Sequence, residues 1–369
     1  MPVPIPPEAL QRIAYSTYAN VMNRKKEIIV DRKELVFLAF LEKRKKSTVG
    51  QAGGTTTIKL KKSGGFTLQF WERRDPLTFI EPNIELELNY SFTNVHSGFE
   101  VVHEDLFKMG YLVKPNSNGK GTSGFATRMS EDEASILVDW FDSAIEEWDD
   151  AYDRNVELAW LRDGSYDPKA PVGLDGLVNL TPSIGNIGGK SRSNPLLQHT
   201  VFLNSTTATG TGTLRSNMTK ARRRANLNSR GRGGSGVDMI MAGEDFIDAY
   251  VQFAINNGLQ YMNMVKDGAV KTLDVGIPET GYHFEGLPIV YCPTFNDLAV
   301  IEPSASVSWN KRAYMLNSKT IHFLQMSGMD KFQSHPPDPS DQRVSRFSMD
   351  GRYCLAVSVP NANALVTVA

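Results

Sequence analysis

The most persistent hydrophobic rhythm in the chain begins at residue 134. Ala134, Leu137, Val138, Phe141, Ile145, Trp148, Tyr152, Val156 and Ala159 recur at spacings of three and four, which places them on one face of an α-helix. Ser130-Glu-Asp-Glu133 ahead of them is a capping box, and Asp163-Gly164 is a stop signal. The pattern predicts one helix over 131–162, roughly 48 Å long at ~1.5 Å per residue. Asp139, Asp142, Glu146, Asp149, Asp150 and Asp153 fall outside the apolar set. They read as an acidic stripe turned toward solvent or a partner.

A period of two appears nearer the N-terminus. Ile58 and Leu60 alternate with Lys59 and Lys61; after Ser63-Gly64-Gly65, Phe66, Leu68 and Phe70 alternate again. These runs predict a β-hairpin within 50–82 that protrudes beyond the breaks at Gly50, Gly53 and Gly54. Two strands with one apolar face are marginal in water and need a third element to cover that face. A core of the same chain or a neighbouring copy could supply it.

Elsewhere the elements are short. Residues 10–28 carry helical spacing, 34–42 form an apolar segment, and the basic cluster Lys43–Lys46 reads as a solvated helix end. Residues 84–102 predict one or two strands, and Glu104–Met109 a short helix. Further strands are expected at Val237–Met241, Leu287–Tyr291, Ala313–Asn317, Thr320–Gln325, Tyr353–Val359 and Ala364–Val368, with a helix over Gly243–Asn257. The fold class is therefore α+β.

Composition narrows the function classes. The 369 residues are 41% hydrophobic and 22% charged, a globular balance. A formal net charge of -1 argues against a surface devoted wholly to nucleic acid. That near-neutrality is a cancellation of blocks. Residues 1–74 hold fifteen Lys/Arg against six Asp/Glu, a net of +9; residues 131–162 hold eleven Asp/Glu against two Arg, a net of -9. Lys220, Arg222, Arg223, Arg224, Arg230 and Arg232 make a third block with no acid among them. Segregation of this kind suggests contacts between blocks, within one chain or between copies. No signal peptide is expected from Met-Pro-Val-Pro-Ile-Pro-Pro, and no apolar run is long enough to span a membrane.

The search for chemistry returns little. Gly231-Arg-Gly-Gly-Ser-Gly236 matches GxGxxG, but a helix-like segment precedes it and a strand follows, the reverse of a dinucleotide site. Cys292 and Cys354 read as core thiols. The six histidines show no metal-ligand spacing, and His103-Glu104-Asp105 is a weak carboxylate–imidazole cluster. The block from Lys220 to Arg232 is a candidate basic contact patch, without interleaved aromatics for base stacking. No cofactor, metal or catalytic residue is expected.

The order of elements resembles the major capsid proteins of tailed bacteriophages, which share the Hong Kong 97 fold. Gly173-Leu-Asp-Gly-Leu177 leading to Gly188-Gly-Lys-Ser-Arg192, Phe284–Val290, Arg312–Ser318 and Asn361–Val366 are similar to family phrases. The resemblance implies an N-terminal arm (1–49), an extended loop (50–82), a peripheral domain (83–175) with a spine helix, an axial domain (176–312), and a return to the peripheral domain (313–369). It implies a non-enzymatic protein of the virion, assembled in the bacterial cytoplasm, whose hexamers and pentamers enclose double-stranded DNA. Its partners would be further copies of itself, weakly bound DNA, and scaffold, portal and decoration proteins, with no membrane. A separate scaffold or none is implied by the lack of a long charged leader. Inter-subunit contact is expected from Ile58, Lys59, Leu60, Lys61, Phe66, Leu68 and Phe70 on the hairpin, and from the acidic stripe. The rivals are an encapsulin-type shell, a soluble hydrolase around His103, Glu104 and Asp105, and a nucleic-acid-binding module using Lys220–Arg232.

Overall fold

The structure, a computed structural model, describes residues 35–48, 54–61, 69–70, 85–102, 131–207, 213–229, 236–256, 279–334 and 344–369. The N-terminal arm up to Glu34, the helix expected at Glu104–Met109, and His103, Glu104 and Asp105 lie outside these residues. In chain order the elements begin with α1 (Val36–Glu42), β1 (Lys45–Thr48), β2 (Thr55–Lys61), β3 (Glu85–Ser91), β4 (Thr93–Val102), α2 (Glu131–Leu161) and α3 (Leu174–Leu177). Next come β5 (Asn186–Ile187), β6 (Lys190–Ser191), β7 (Thr200–Ser205), α4 (Leu214–Ser229), β8 (Met239–Ala242) and α5 (Glu244–Asn256). Then follow β9 (Glu279–Phe284), β10 (Leu287–Tyr291), α6 (Thr294–Ile301), β11 (Arg312–Leu316), β12 (Ile321–Met326), β13 (Phe332–Ser334), β14 (Val344–Val357) and β15 (Ala364–Val368).

The chain divides into two compact units. The first draws on Asn94–Glu157 and Gly328–Arg352. Here α2 runs 31 residues in all, one residue short of the predicted span. Its apolar face buries Phe141, Ile145, Tyr152 and Val156. Phe347 of β14 stacks on Phe99 of β4 and meets Phe141 edge-on, while Trp148 packs edge-on against Phe99. The indole of Trp148 also donates to Ser97 Oγ at 2.8 Å. In this unit β14 pairs with β4 and, antiparallel, with β13.

The second unit draws on Glu34–Thr93, Leu158–Ser327 and Tyr353–Ala369. At its centre is a six-stranded sheet in the order β7-β15-β11-β8-β10-β9. Ala313 and Met315 of β11, Ile240 and Ala242 of β8, and Ala364, Val366 and Val368 of β15 share one face. Leu214, Met218, Ala221 and Ala225 of α4, and Phe246 and Ile247 of α5, cover that face. Tyr314 belongs to the opposite face by the period of two. It meets Phe295 of α6 and Trp309, both fully buried. A buried sheet between two layers of apolar side chains follows from strands with no outward polar alternation.

Arg312–Leu316 and Ala364–Val368 are interior strands of the sheet that holds β7, β8 and β10. All five residues of β15 are buried, and β11 gives it an antiparallel neighbour with Ala313 facing Val366. A fully apolar strand needs two covered faces, which the interior of this sheet provides. The cluster Lys43–Lys46 is more than a helix end. Lys45–Thr48 lies parallel on β12, Arg44 Nη1 donates to Ser318 O at 3.0 Å, and Lys45 sits over the Tyr353 ring.

Candidate functional site

Four surfaces or clusters bear on what this chain does. The first is the ribbon of β2 and β3. Among the described residues Thr55–Lys61 pairs antiparallel with Glu85–Ser91: Ile58 faces Leu88, Lys59 faces Glu87, Leu60 faces Leu86 and Lys61 faces Glu85; the expected return strand at Phe66–Phe70 falls largely outside the described residues. Cross-strand chemistry suits this pairing: each apolar residue meets an apolar one and each lysine a glutamate. Lys59 Nζ stands 3.1 Å from Glu87 Oε1, and Thr57 Oγ1 donates to Asn89 Oδ1 at 2.7 Å.

Burial along the ribbon is graded. At its root Leu88 is fully buried, and the Tyr90 hydroxyl donates to Val357 O at 2.8 Å. Asn89 N donates to Gly188 O at 2.9 Å, and a Cβ on Gly188 would lie 2.6 Å from Leu88 Cβ. Gly188 has φ 54°, so glycine answers both the close approach and the turn between β5 and β6. Ile58, opposite Leu88, and the next apolar pair, Leu60 and Leu86, are only half-buried. Phe66 and Leu68 and the side chain of Lys61 lie outside the description, and Phe70 is 89% exposed.

The second is the acidic stripe of α2. Glu146 and Asp150 are exposed; the side chains of Asp139 and Asp142 lie outside the description. Asp149 and Asp153 correct the expectation of an exposed stripe, for both are buried. Lys331 Nζ reaches them at 2.7 and 2.6 Å and sits over the Tyr152 ring. Lys331 holds a left-handed backbone, φ 46°, which costs a side-chain-bearing residue roughly 1–2 kcal/mol; two charge-assisted contacts in a dry setting offset it. The signal was in the spacing. Asp149 follows Ile145 by four and precedes Val156 by seven, so it belongs to the apolar stripe of the helix.

The third is the basic face of α4. Its buried side consists of small and apolar residues, and Lys220, Arg223 and Arg224 are exposed. Arg222 is turned inward: Nη1 donates to Glu285 O at 2.8 Å and to Glu285 Oε2 at 2.9 Å. It therefore leaves the expected patch. Arg224 lies 5.4 Å from the Phe202 ring. Arg230 and Arg232 lie outside the description. The strand β8 follows α4, so the Gly231–Gly236 match has the helix-then-strand context foreseen, which a dinucleotide loop does not use.

The fourth is a set of buried cations that sequence reasoning gave no role. Arg192 donates to Gly176 O at 2.6 Å and Leu177 O at 2.9 Å, and to His199 Nδ1 at 3.3 Å. His199 Nε2 then donates to Asn179 O at 2.6 Å, which sets the neutral tautomer. Burial, opposed by the Asn179 bond and aided by the Arg192 charge, lowers the His199 pKa to about 4. Arg312 Nη1 pairs with Asp175 Oδ1 at 3.0 Å, Nη2 caps Val307 O at 2.8 Å, and the guanidinium lies 4.2 Å from the Trp309 ring. The Tyr314 hydroxyl donates to the same Asp175 oxygen at 2.9 Å. Burial raises the Asp175 pKa, while Arg312 and the Tyr314 bond oppose that rise. These groups are enclosed and consumed by one another. They tie the segment after α2 to β11 and present nothing to a substrate.

Cys292 and Cys354 are buried thiols, and burial pushes Cys354 up to about 12. Among the described residues no group of His, Cys, Asp and Glu could hold a metal ion, and no helix is long and apolar enough to cross a membrane.

Comparison with known proteins locates this architecture. No family model and no curated protein matches the sequence. Solved structures do. The capsid asymmetric unit of cyanophage A-1(L) is 14% identical, with 90% of this chain and 92% of that chain covered at a TM-score of 0.55. The capsid of Myoviridae phage XM1 is 10% identical, with 90% and 92% covered at a TM-score of 0.51. Nearly the whole chain takes part in both likenesses, so the mixed α+β fold assembled here matches the fold found in these two phage capsids.

Proposed function

We propose that this chain is a structural shell subunit, the major capsid protein of a tailed double-stranded DNA phage, and that it acts by assembling rather than by catalysis. The observation that carries this reading is the full-length likeness to a phage capsid subunit, 90% of this chain on 92% of that one. The chain's own physics supports it. Ile58, Leu60 and Leu86 make an apolar ribbon face that is half-covered at best, and another copy is a chemically matched cover for it.

In this reading the subunits form hexamers and pentamers of an icosahedral container. The architecture is of the Hong Kong 97 kind: residues 1–49 serve as the arm, 50–82 as the extended loop, 83–175 as the peripheral domain with the spine helix, 176–312 as the axial domain and 313–369 as the return to the peripheral domain. Residues Ile58, Lys59 and Leu60 with the exposed Glu146 and Asp150 are contact residues. Complementary charge between basic arm and acidic helix would guide register and rate more than final strength. Many modest contacts around closed rings add up to a durable shell. Packaged DNA, a scaffold and a portal are its further partners.

Negative-stain imaging of the purified full-length protein tests this. Closed hollow particles or capsomer-sized rings are the expected result. A monodisperse monomer at every protein and salt concentration would overturn it.

A further inference from the structure

Two faces of the six-stranded-sheet unit carry opposite charge and do not meet within one copy. On α4, Lys220, Arg223, Arg224 and Leu227 are exposed at spacings of three, four and seven, hence on one stripe. Leu227, the last of these along the helix, is 63% exposed. The helix contains five Lys/Arg and no acid.

The other face is built where β8 and β10 end. These neighbouring strands run parallel, and α5 and α6 follow them after one and two residues. Their first turns therefore lie side by side, and Asn296 Nδ2 of α6 donates to Glu244 Oε2 of α5 at 2.8 Å. Asp245, Asp248 and Asp297 are exposed there, and neither helix contains a Lys or Arg. Acids in a first turn suit the helix dipole, but the apolar residues beside them do nothing for either helix. Val300 lies one turn beyond Asn296 and is 80% exposed, and Ile301 one turn beyond Asp297 is 51% exposed.

Arg222 of α4 is bound to Glu285, just before β10, while α6 begins just after it. The five residues of β10 put about 17 Å between those two points. Among the described residues Lys220 and Arg223 form no ion pair. Each face thus sets exposed apolar side chains beside charges of one sign, with signs reversed and positions at opposite ends of a strand.

We propose that the α4 face of one copy docks on the α5–α6 face of the next. Leu227 packs against Val300 and Ile301, and Lys220, Arg223 and Arg224 oppose Asp245, Asp248 and Asp297. Two different patches of one chain make a heterologous contact, which closes into a ring when the rotation permits. This deepens the shell reading and rests on it. A nucleic-acid backbone would match the arginines but offers no partner to Leu227, and it would leave the acidic face unexplained.

Charge exchange tests it, with wild-type particles as the reference. Lys220→Glu/Arg223→Glu/Arg224→Glu and, separately, Asp245→Lys/Asp248→Lys/Asp297→Lys should each cut the sedimenting particle fraction about tenfold or more, through like-charge contact. The chain carrying all six changes should recover it. Val300→Asp, at a site too exposed to matter for folding, should lower assembly with an unchanged melting temperature. Full assembly of both triple variants and of Val300→Asp overturns the proposal. So does a six-fold variant no better than either triple one while Val300→Asp assembles normally. If the basic-to-acidic variant assembles but its shells lose DNA affinity, the face belongs to DNA and the proposal fails. Wild-type protein that forms no particle defeats the shell reading itself, and this docking with it.

Discussion

The interior of the six-stranded-sheet unit and the β2–β3 ribbon use the same residue types to opposite ends. In the interior, Arg192 and Arg312 are almost fully buried and spend their donors on backbone carbonyls, His199 and Asp175. On the ribbon, Lys59 and Glu87 face each other with more than half and about half of their side chains in solvent. The interior charges are costly to desolvate, and removing one partner strands the other. The ribbon charges cost little and contribute little. What differs is the apolar neighbour: Trp309, Tyr314 and Phe295 enclose Arg312, whereas Ile58 and Leu60 are themselves only half-covered. An enclosed body and a half-covered ribbon follow from that one contrast.

Breaking the interior should give the largest effect. Arg312→Met leaves the Asp175 carboxylate buried with Tyr314 as its remaining donor, at a cost of roughly 3–5 kcal/mol. For a chain of this size that lowers the melting temperature by about 10 °C, readable by differential scanning calorimetry on unassembled subunits. A loss no greater than that of a surface substitution would mean that the enclosure of Arg312 is not what stabilises this unit.

The second effect is a pH dependence. His199 has a folded pKa of about 4 against 6.5 when exposed. Between those values the unfolded chain binds a proton that the folded one does not, so stability falls as pH drops from 6.5 to 4 and is fully present above 6.5. The size is up to about 3 kcal/mol. Urea midpoints measured from pH 7 to pH 4 should decline, and His199→Gln should remove most of that part of the slope. An identical slope in the variant would place the pH sensitivity elsewhere.

Both regions were unequally legible. Strands Leu287–Tyr291 and Ala364–Val368 match their predicted bounds, because continuous apolar runs between turn residues have few other fates. Where such a run goes is a separate matter. Ala364–Val368 and Arg312–Leu316 join β8 through long-range register, and no local spacing encodes that. The pairing of Thr55–Lys61 with Glu85–Ser91 is readable in principle, since Glu85 and Glu87 match Lys61 and Lys59, but the partners lie far enough apart along the chain that no local turn signal joins them. Asp149 looked like surface by residue type and like core by position, and Lys331, 182 residues away, decides for the core. Arg192 and His199 carry no sequence signature, because their partners are carbonyls that every residue possesses.

The ribbon supplies the smallest effect on the subunit and the sharpest contrast. Ile58→Ser with Leu60→Ser removes apolar surface that the single chain only half buries, so the cost in subunit stability should stay near about 1 kcal/mol, a shift of only a few degrees. Leu88 and Tyr90 at the root remain in place, and the Lys59–Glu87 pairing survives. If a neighbouring copy covers that face, particle yield should nonetheless collapse, since the same two side chains recur at every contact of a closed ring. Circular dichroism melts and sedimentation of the same preparation separate the two outcomes. A variant that unfolds would show the ribbon to be core of its own subunit; one that folds and assembles normally would show that the ribbon's apolar face holds nothing together.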